Sequence, residues 1–305
     1  MRQAQGIRIS QVVQEALAAG QPVVALESTI FTHGLPRPRN IGVAMQAERI
    51  IREHGAVPAT IGVVHGVPVV GLSQDEIKKL GNDDNAAKAS IRDLAHLALS
   101  KRNAGTTIAA TSFLAHKAGI AVFATGGLGG VHHGAEKTFD ESADMVALSQ
   151  FPVVLISSGA KAILDIGATL ERFESLNVPV VGYRTMQYPG FYVADSGFPL
   201  TAKVDTPAEI AAMFRTQQIL GLTSSVLVGN PVPLDQQLDP HELDGVLDEA
   251  WATADRDGIH GQATTPVLLE FIRVATNGRS LDANVALYYN NVLLASAVAS
   301  ELAQN

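Results

Sequence analysis

Short, almost wholly apolar runs rich in Val, Ile and Ala recur along this chain, with helical patterns between them. Strand-like runs lie at 22–26, 106–110, 120–124, 152–157, 178–182 and 224–228. They do not alternate polar with apolar residues. A strand of that kind is buried on both faces and needs helices above and below its sheet. Helical patterns at 112–118, 141–149, 161–174 and 207–219 supply those covers. Residues 59–72 read as a hairpin with Gly66 in the turn, which makes the sheet mixed. Ser10 opens a helix that ends at Gly20, and Asn40 opens one that ends at Gly55. Ser73 with Glu76, and Thr206 with Glu209, have capping-box spacing. Three more helices, near 239–256, 265–276 and 282–303, close the chain. The expected fold is a three-layer α/β/α domain over 1–305, with a mixed central sheet and extra C-terminal helices.

Composition narrows the function. The chain has 305 residues, 47% of them hydrophobic, enough to fill a large core. Net charge is −8 and no segment carries a run of Lys and Arg, which argues against binding nucleic-acid polymers or anionic membranes through a basic surface. Small phosphorylated ligands need only a local pocket. The absence of Cys removes disulfides, thiolate catalysis and zinc–thiolate sites. Residues 1–20 lack the apolar core of a signal peptide, and no uncharged apolar run reaches the ~18 residues of a membrane helix. The expectation is a soluble cytoplasmic protein.

Ligands of such folds gather at the carboxyl ends of the strands. Four polar clusters fall there: Glu27–Thr29, Thr125–Gly134, Ser157–Lys161 and Gly229–Asn230. The glycine-rich stretch Thr125–Gly134 fails as a dinucleotide fingerprint, since His132 stands where the third Gly belongs. It fails as a P-loop because Lys137 falls two residues too late. What remains is a backbone able to approach a ligand closely. Asp140 reads as a helix N-cap with Asp144 one turn later, which suits a capped helix start and, less directly, an oxygen-ligated Mg²⁺ or Mn²⁺. Lys161 reads as lying at a strand-to-helix turn between apolar segments. Burial and a helix N-terminus both favour a neutral amine, as a Schiff-base nucleophile requires. A lysine that snorkels to solvent or binds phosphate fits the same spacing. Glu27, at a strand mouth, suits a general acid or an acceptor of loop amides. Lys88, near Ser90 and Arg92, suits a phosphate contact or an exposed helix face, and Asn284 a recognition amide or a capping residue. His33, His54, His65, His96, His116, His241 and His260 show no metal-ligand spacing and read as surface or packing residues.

Together these segments resemble the pseudouridine-5′-phosphate glycosidases of the indigoidine synthase A-like family. The resemblance is carried by Val23–Ile30, Gly55–Thr60, Phe123–Gly127 with Gly130–His132, Thr138–Asp140 with Ser142–Asp144, and Gly159–Lys161, in order from about residue 8 to about residue 302. It implies reversible splitting of pseudouridine 5′-phosphate and water into uracil and ribose 5-phosphate. It further implies Lys161 as nucleophile, Glu27 as proton donor and Asp140 as ligand of a divalent metal, usually Mn²⁺. Substrate contacts fall on Lys88, Ile108 through its backbone, Thr125, Ser142, Ala143, Asp144 and Asn284, and the implied assembly is a homotrimer. The residue types make sense of the chemistry, because a ring-carbon leaving group is poor for hydrolysis by two carboxylates. Two other readings share parts of this set. A Schiff-base aldolase or lyase on another sugar phosphate needs the lysine but no uracil site. A sugar-phosphate-binding regulator needs neither turnover nor a reactive lysine.

Overall fold

In the computed structural model, which describes residues 6–259 and 264–304, an 11-stranded mixed sheet carries the fold. Its strands are β1 (Arg8–Ile9), β2 (Val23–Leu26), β3 (Val57–Val64), β4 (Val67–Val70), β5 (Ala87–Ala89), β6 (Ala104–Thr106), β7 (Val122–Ala124), β8 (Val154–Ser157), β9 (Val180–Tyr183), β10 (Lys203–Val204) and β11 (Val226–Gly229). The order is β1-β4-β3-β2-β7-β8-β11-β9-β10, with β6 bonded to β3 and β5 to β6. From β3 through β2, β7, β8, β11 and β9 to β10, successive strands run parallel. The hairpin β3–β4 and the pair β3–β6 run antiparallel. His260 lies outside the described residues.

The strands alternate between two cores, as a period of two requires. Val24, Leu26, Val122, Ala124, Val154 and Ile156 face helices Arg39–Glu53, Pro207–Ile219 and Arg279–Ala303. Val23, Ala25, Phe123, Val153, Leu155 and Leu227 face helices Gln11–Ala18, Ile108–Ala118, Ala143–Gln150 and Ile166–Ser175. Burial on both sides explains the unbroken apolar runs. Burying a Val, Leu or Phe side chain contributes roughly 1.5–3 kcal/mol, so the two cores hold the layers together. The long helix Arg279–Ala303 packs on β2, β7 and β8 and on helices Arg39–Glu53 and Pro207–Ile219. Among the described residues, no helix is long and apolar enough to cross a membrane.

Four helix starts differ from their sequence-based positions, each for a local reason. The run 106–110 reads as a strand because it is β-branched and apolar, but Thr107 ends the extended backbone. Its hydroxyl accepts the Ala110 N–H, and the helix begins at Ile108 rather than 112. The pattern 161–174 does not start a helix at Lys161. Residues 161–164 form a turn closed by Leu164 N–H to Lys161 O at 2.9 Å, and Asp165 caps Ile166–Ser175 through the Ala168 N–H. No helix terminus therefore acts at Lys161. Ser142, not Asp140, caps the helix Ala143–Gln150. The last helix begins at Arg279, so Asn284 sits inside it and caps nothing. Both capping boxes form as their spacing predicts. Thr206→Ala is expected to cost about 1 kcal/mol in urea unfolding with no change in catalysis, because this cap lies away from the site.

Candidate active site

The parallel register levels the strand ends. Leu26 pairs with Ala124, Ala124 with Ile156, and Ile156 with Val228. The residues that follow (Glu27, Thr125, Ser157 and Gly229) therefore emerge side by side. Glu27, after β2, and Lys161, in the turn after β8, open onto a cavity of about 330 Å³. Glu27, Lys88, Ile108, Asp140, Ser142, Ala143, Asp144 and Lys161 all line it, along with Arg92, Asp93, Thr107, Gly129, His132 and Thr265. Residues separated by most of the chain thus share one space.

Glu27 is 8% exposed. It follows Ala25 in the alternation, on the side covered by the helices that start at Ile108 and Ala143, and those helix starts form the adjoining wall. The Thr125 hydroxyl donates to its carboxylate in a short bond across the ends of β2 and β7. Burial pushes the Glu27 pKa up from 4.5 to about 7. The Thr125 bond and the cations Lys161 and Lys88 pull it down, and Asp144 pushes it up, but burial wins. Near neutrality Glu27 therefore retains a proton to give.

Lys88 is not on a helix face. It sits on β5 and opens into the cavity's solvent. The surrounding walls lower its pKa first and the neighbouring Lys161 second, against the pull of Asp144 and Glu27. Lys161 is half-buried, and its backbone N–H donates to Leu128 O at 3.1 Å. The turn before it needs Gly159, whose φ is +83° and whose added Cβ would lie 2.1 Å from Pro189 O. Asp144 does not pair with Asp140 on a helix face. Its carboxylate accepts the Ala109 N–H at 2.9 Å and the Gly129 N–H at 3.1 Å, tying three segments of the wall. Asp140 lies before the helix, with its carbonyl accepting the His132 N–H at 3.1 Å. Burial lowers the His132 pKa, with Asp140 opposing, so the imidazole is neutral at physiological pH.

Two expected contacts stand behind the cavity wall rather than in it. Thr125 is fully buried and reaches the site through Glu27. Asn284 lies beside Gly126, its Oδ1 3.3 Å from where a Cβ on that glycine would stand. The glycine-rich segment is also used differently. Of Gly126, Gly127, Gly129 and Gly130, only Gly129 lines the cavity. Added Cβ atoms on Gly127, Gly129 and Gly130 would strike Phe191, Ser142 and Thr169 at 2.5, 2.2 and 2.4 Å. These glycines admit the protein's own side chains. The six described histidines read as surface or packing residues are all exposed. Sequence reasoning missed Asp93, Thr107 and Thr265 in the lining, and Asn291 behind it. Asn291 carried a signal: an amide within the apolar buried stripe of a helix needs a specific partner.

Among the described residues no three His, Asp or Glu side chains converge as a metal cluster. Asp140 lines the cavity with Glu141 and Asp144, and oxygen donors of that kind belong to hard cations rather than to zinc.

A buried acid, two amines and a carboxylate rim in one cavity at the strand carboxyl ends define an α/β/α enzyme for a small anionic substrate. The model of the indigoidine synthase A-like proteins matches residues 12–301, and the chain belongs to that family. A pseudouridine-5′-phosphate glycosidase of Saccharopolyspora erythraea is 59% identical over 295 residues, covering 97% of each chain. One of Salinispora tropica is 51% identical over 94% of this chain and 89% of its own. Among solved structures, the prealnumycin C-glycosynthase AlnA in complex with ribulose 5-phosphate has a TM-score of 0.92 at 32% identity, covering 99% of this chain and 98% of its own. An indigoidine synthase A-like protein of Thermotoga maritima has a TM-score of 0.89 at 34% identity, covering 100% and 99%.

Glu27 holds a proton to about pH 7 in the fold, against an ordinary 4.5. Between those values the folded chain binds more protons than the unfolded one. Its contribution to stability is thus fully present below 4.5 and is lost as pH rises through about 7, by roughly 3 kcal/mol. In urea unfolding across this range, Glu27→Gln should flatten the slope. Thr125→Val, which removes a donor to the charged form, should carry the slope above pH 7.

Proposed function

We propose that this chain cleaves the C–C glycosidic bond of pseudouridine 5′-phosphate, giving uracil and ribose 5-phosphate, and runs the reverse reaction. One observation carries the reading: a buried carboxyl that keeps its proton near neutrality shares one cavity with Lys161 and with the cations Lys88 and Arg92. The glycosidase relatives and the ribulose 5-phosphate complex of AlnA support a pentose phosphate as the sugar half.

The phosphate fits between Lys88, Arg92 and the start of the helix at Ile108, where the Ile108 N–H and the helix dipole favour an anion. Glu27 donates its proton to the furanose oxygen as the C1′–O bond opens. The Lys161 amine then forms a bond to C1′. Protonation of uracil C5 allows the C1′–C5 bond to break, and its electrons remain on uracil. The nitrogen lone pair of Lys161 forms the C=N bond, leaving an imine of ribose 5-phosphate. Water adds to that imine, the C–N bond breaks, and ribose 5-phosphate leaves with Lys161 restored. Asp140 would hold a divalent cation such as Mn²⁺, which supplies charge neutralisation and orientation of oxygens. The proposal extends to a homotrimeric assembly and a cytoplasmic setting, as the family resemblance implies.

An aldolase on another sugar phosphate would share Lys161 but release no uracil. Loss of absorbance on uracil release from pseudouridine 5′-phosphate therefore separates the two. Lys161→Ala is expected to lower that rate by at least about 10³-fold with the fold intact by circular dichroism. Borohydride with ribose 5-phosphate should leave a reduced pentose-phosphate adduct on the Lys161 peptide. Wild-type turnover in Lys161→Ala would rule out the imine route. In the wild type, kcat/KM should fall as pH rises through about 7, when Glu27 loses its proton.

A further inference from the structure

We infer that Asn291 is a positioning residue, whose amide sets the end of β7, where Thr125 donates to Glu27, against the turn bearing Lys161. The inference rests on the assignment of Glu27 and Lys161 as acid and nucleophile.

Asn291 is completely buried in the helix Arg279–Ala303, between Tyr288 and Val292. A buried amide costs several kcal/mol unless its hydrogen bonds are made. Here every one is made, and all go to strand ends. The Nδ2 donates to Thr125 O at 2.8 Å and to Ser158 Oγ at 3.2 Å. The Oδ1 accepts from Asn230 Nδ2 at 2.9 Å. The orientation of the amide is fixed by its partners, because Thr125 O only accepts and Asn230 Nδ2 only donates. The Ser158 hydroxyl passes its own proton to Asn230 O at 2.8 Å. One side chain thus joins the ends of β7, β8 and β11.

Each arm leads to a reacting group. Thr125, held through its carbonyl, presents its hydroxyl to Glu27. Ser158 begins the turn to Lys161, and its N–H donates to Gly126 O at 2.9 Å. Lys161 N–H in turn donates to Leu128 O, on the same segment that Asn291 grips at Thr125. Asn291 does not line the cavity, so it touches no substrate. Its effect reaches the chemistry only through the distance and orientation of the acid and the amine, where a misplacement of about 1 Å costs on the order of 10²-fold in rate.

Two variants test this, Asn291→Ser and Asn230→Ala, the second removing only the donor that fixes the Asn291 amide. Uracil release from pseudouridine 5′-phosphate should show kcat lower by about tenfold or more with KM within about twofold, since the phosphate contacts are untouched. The pH dependence of urea unfolding should also show Glu27 titrating away from about 7, as its Thr125 donor shifts. A merely structural role would lower the unfolding midpoint alone. A folded variant of either kind with wild-type kcat and an unmoved Glu27 titration overturns the inference, and Asn230→Ala decides it if Asn291→Ser does not fold. Wild-type uracil release, measured alongside, tests the reaction separately. If it is absent, the titration shift still reports whether Asn291 positions Glu27.

Discussion

The site depends on the parallel register that levels β2, β7, β8 and β11. Leu26, Ala124, Ile156 and Val228 stand in one row, so the chain leaves the sheet at one height in four places. A slip of one residue would turn Glu27 to the opposite face and away from the cavity. The two apolar cores prevent that slip, since each strand residue is committed to one face or the other. Packing far from any ligand therefore fixes where the acid points.

Within that frame, charge is arranged around a cost. Taking a carboxylate out of water raises its pKa by several units when nothing compensates, and a nearby cation lowers it by about one to three. Glu27 meets both influences, and its proton affinity settles between a free carboxyl and an isolated buried one. Lys88 answers to the same constraint from the other side, burial first and the neighbouring Lys161 second disfavouring its charge. One polar cavity can thus hold an acid that is still protonated beside the amines of Lys88 and Lys161. Asp144 shows how tightly the walls are specified, with both of its oxygens bound to backbone from different segments.

Much of this was legible in the residues. Apolar runs gave the sheet, and the spacing Ser73–Glu76 and Thr206–Glu209 gave two helix starts that form as capping boxes. Placement of polar clusters after strands gave Glu27, Thr29, Gly129, His132 and Lys161 of the lining. What was not legible had a common cause: competition between local propensity and a side-chain cap. Thr107 and Asp165 stop one element and start the next through bonds to Ala110 and Ala168, and apolar pattern alone is blind to them. The glycine segment was read as room for a ligand, whereas Phe191 and Thr169, which fill the space beside it, come from 64 and 39 residues further on than Gly127 and Gly130. Asn291 reaches Thr125 across 166 positions, a separation that no periodicity reports. Thr265 carried no signal at all.

The closing helix Arg279–Ala303 lies directly on β2, β7 and β8, the strands on which the acid and the amine depend. Until the segment 279–303 has been made, the side of these strands that it covers lacks that cover. A chain that stops short of it carries an apolar sheet face uncovered, the kind of surface on which chaperones act. Such a chain also lacks the Asn291 amide that latches the tips of β7, β8 and β11 together.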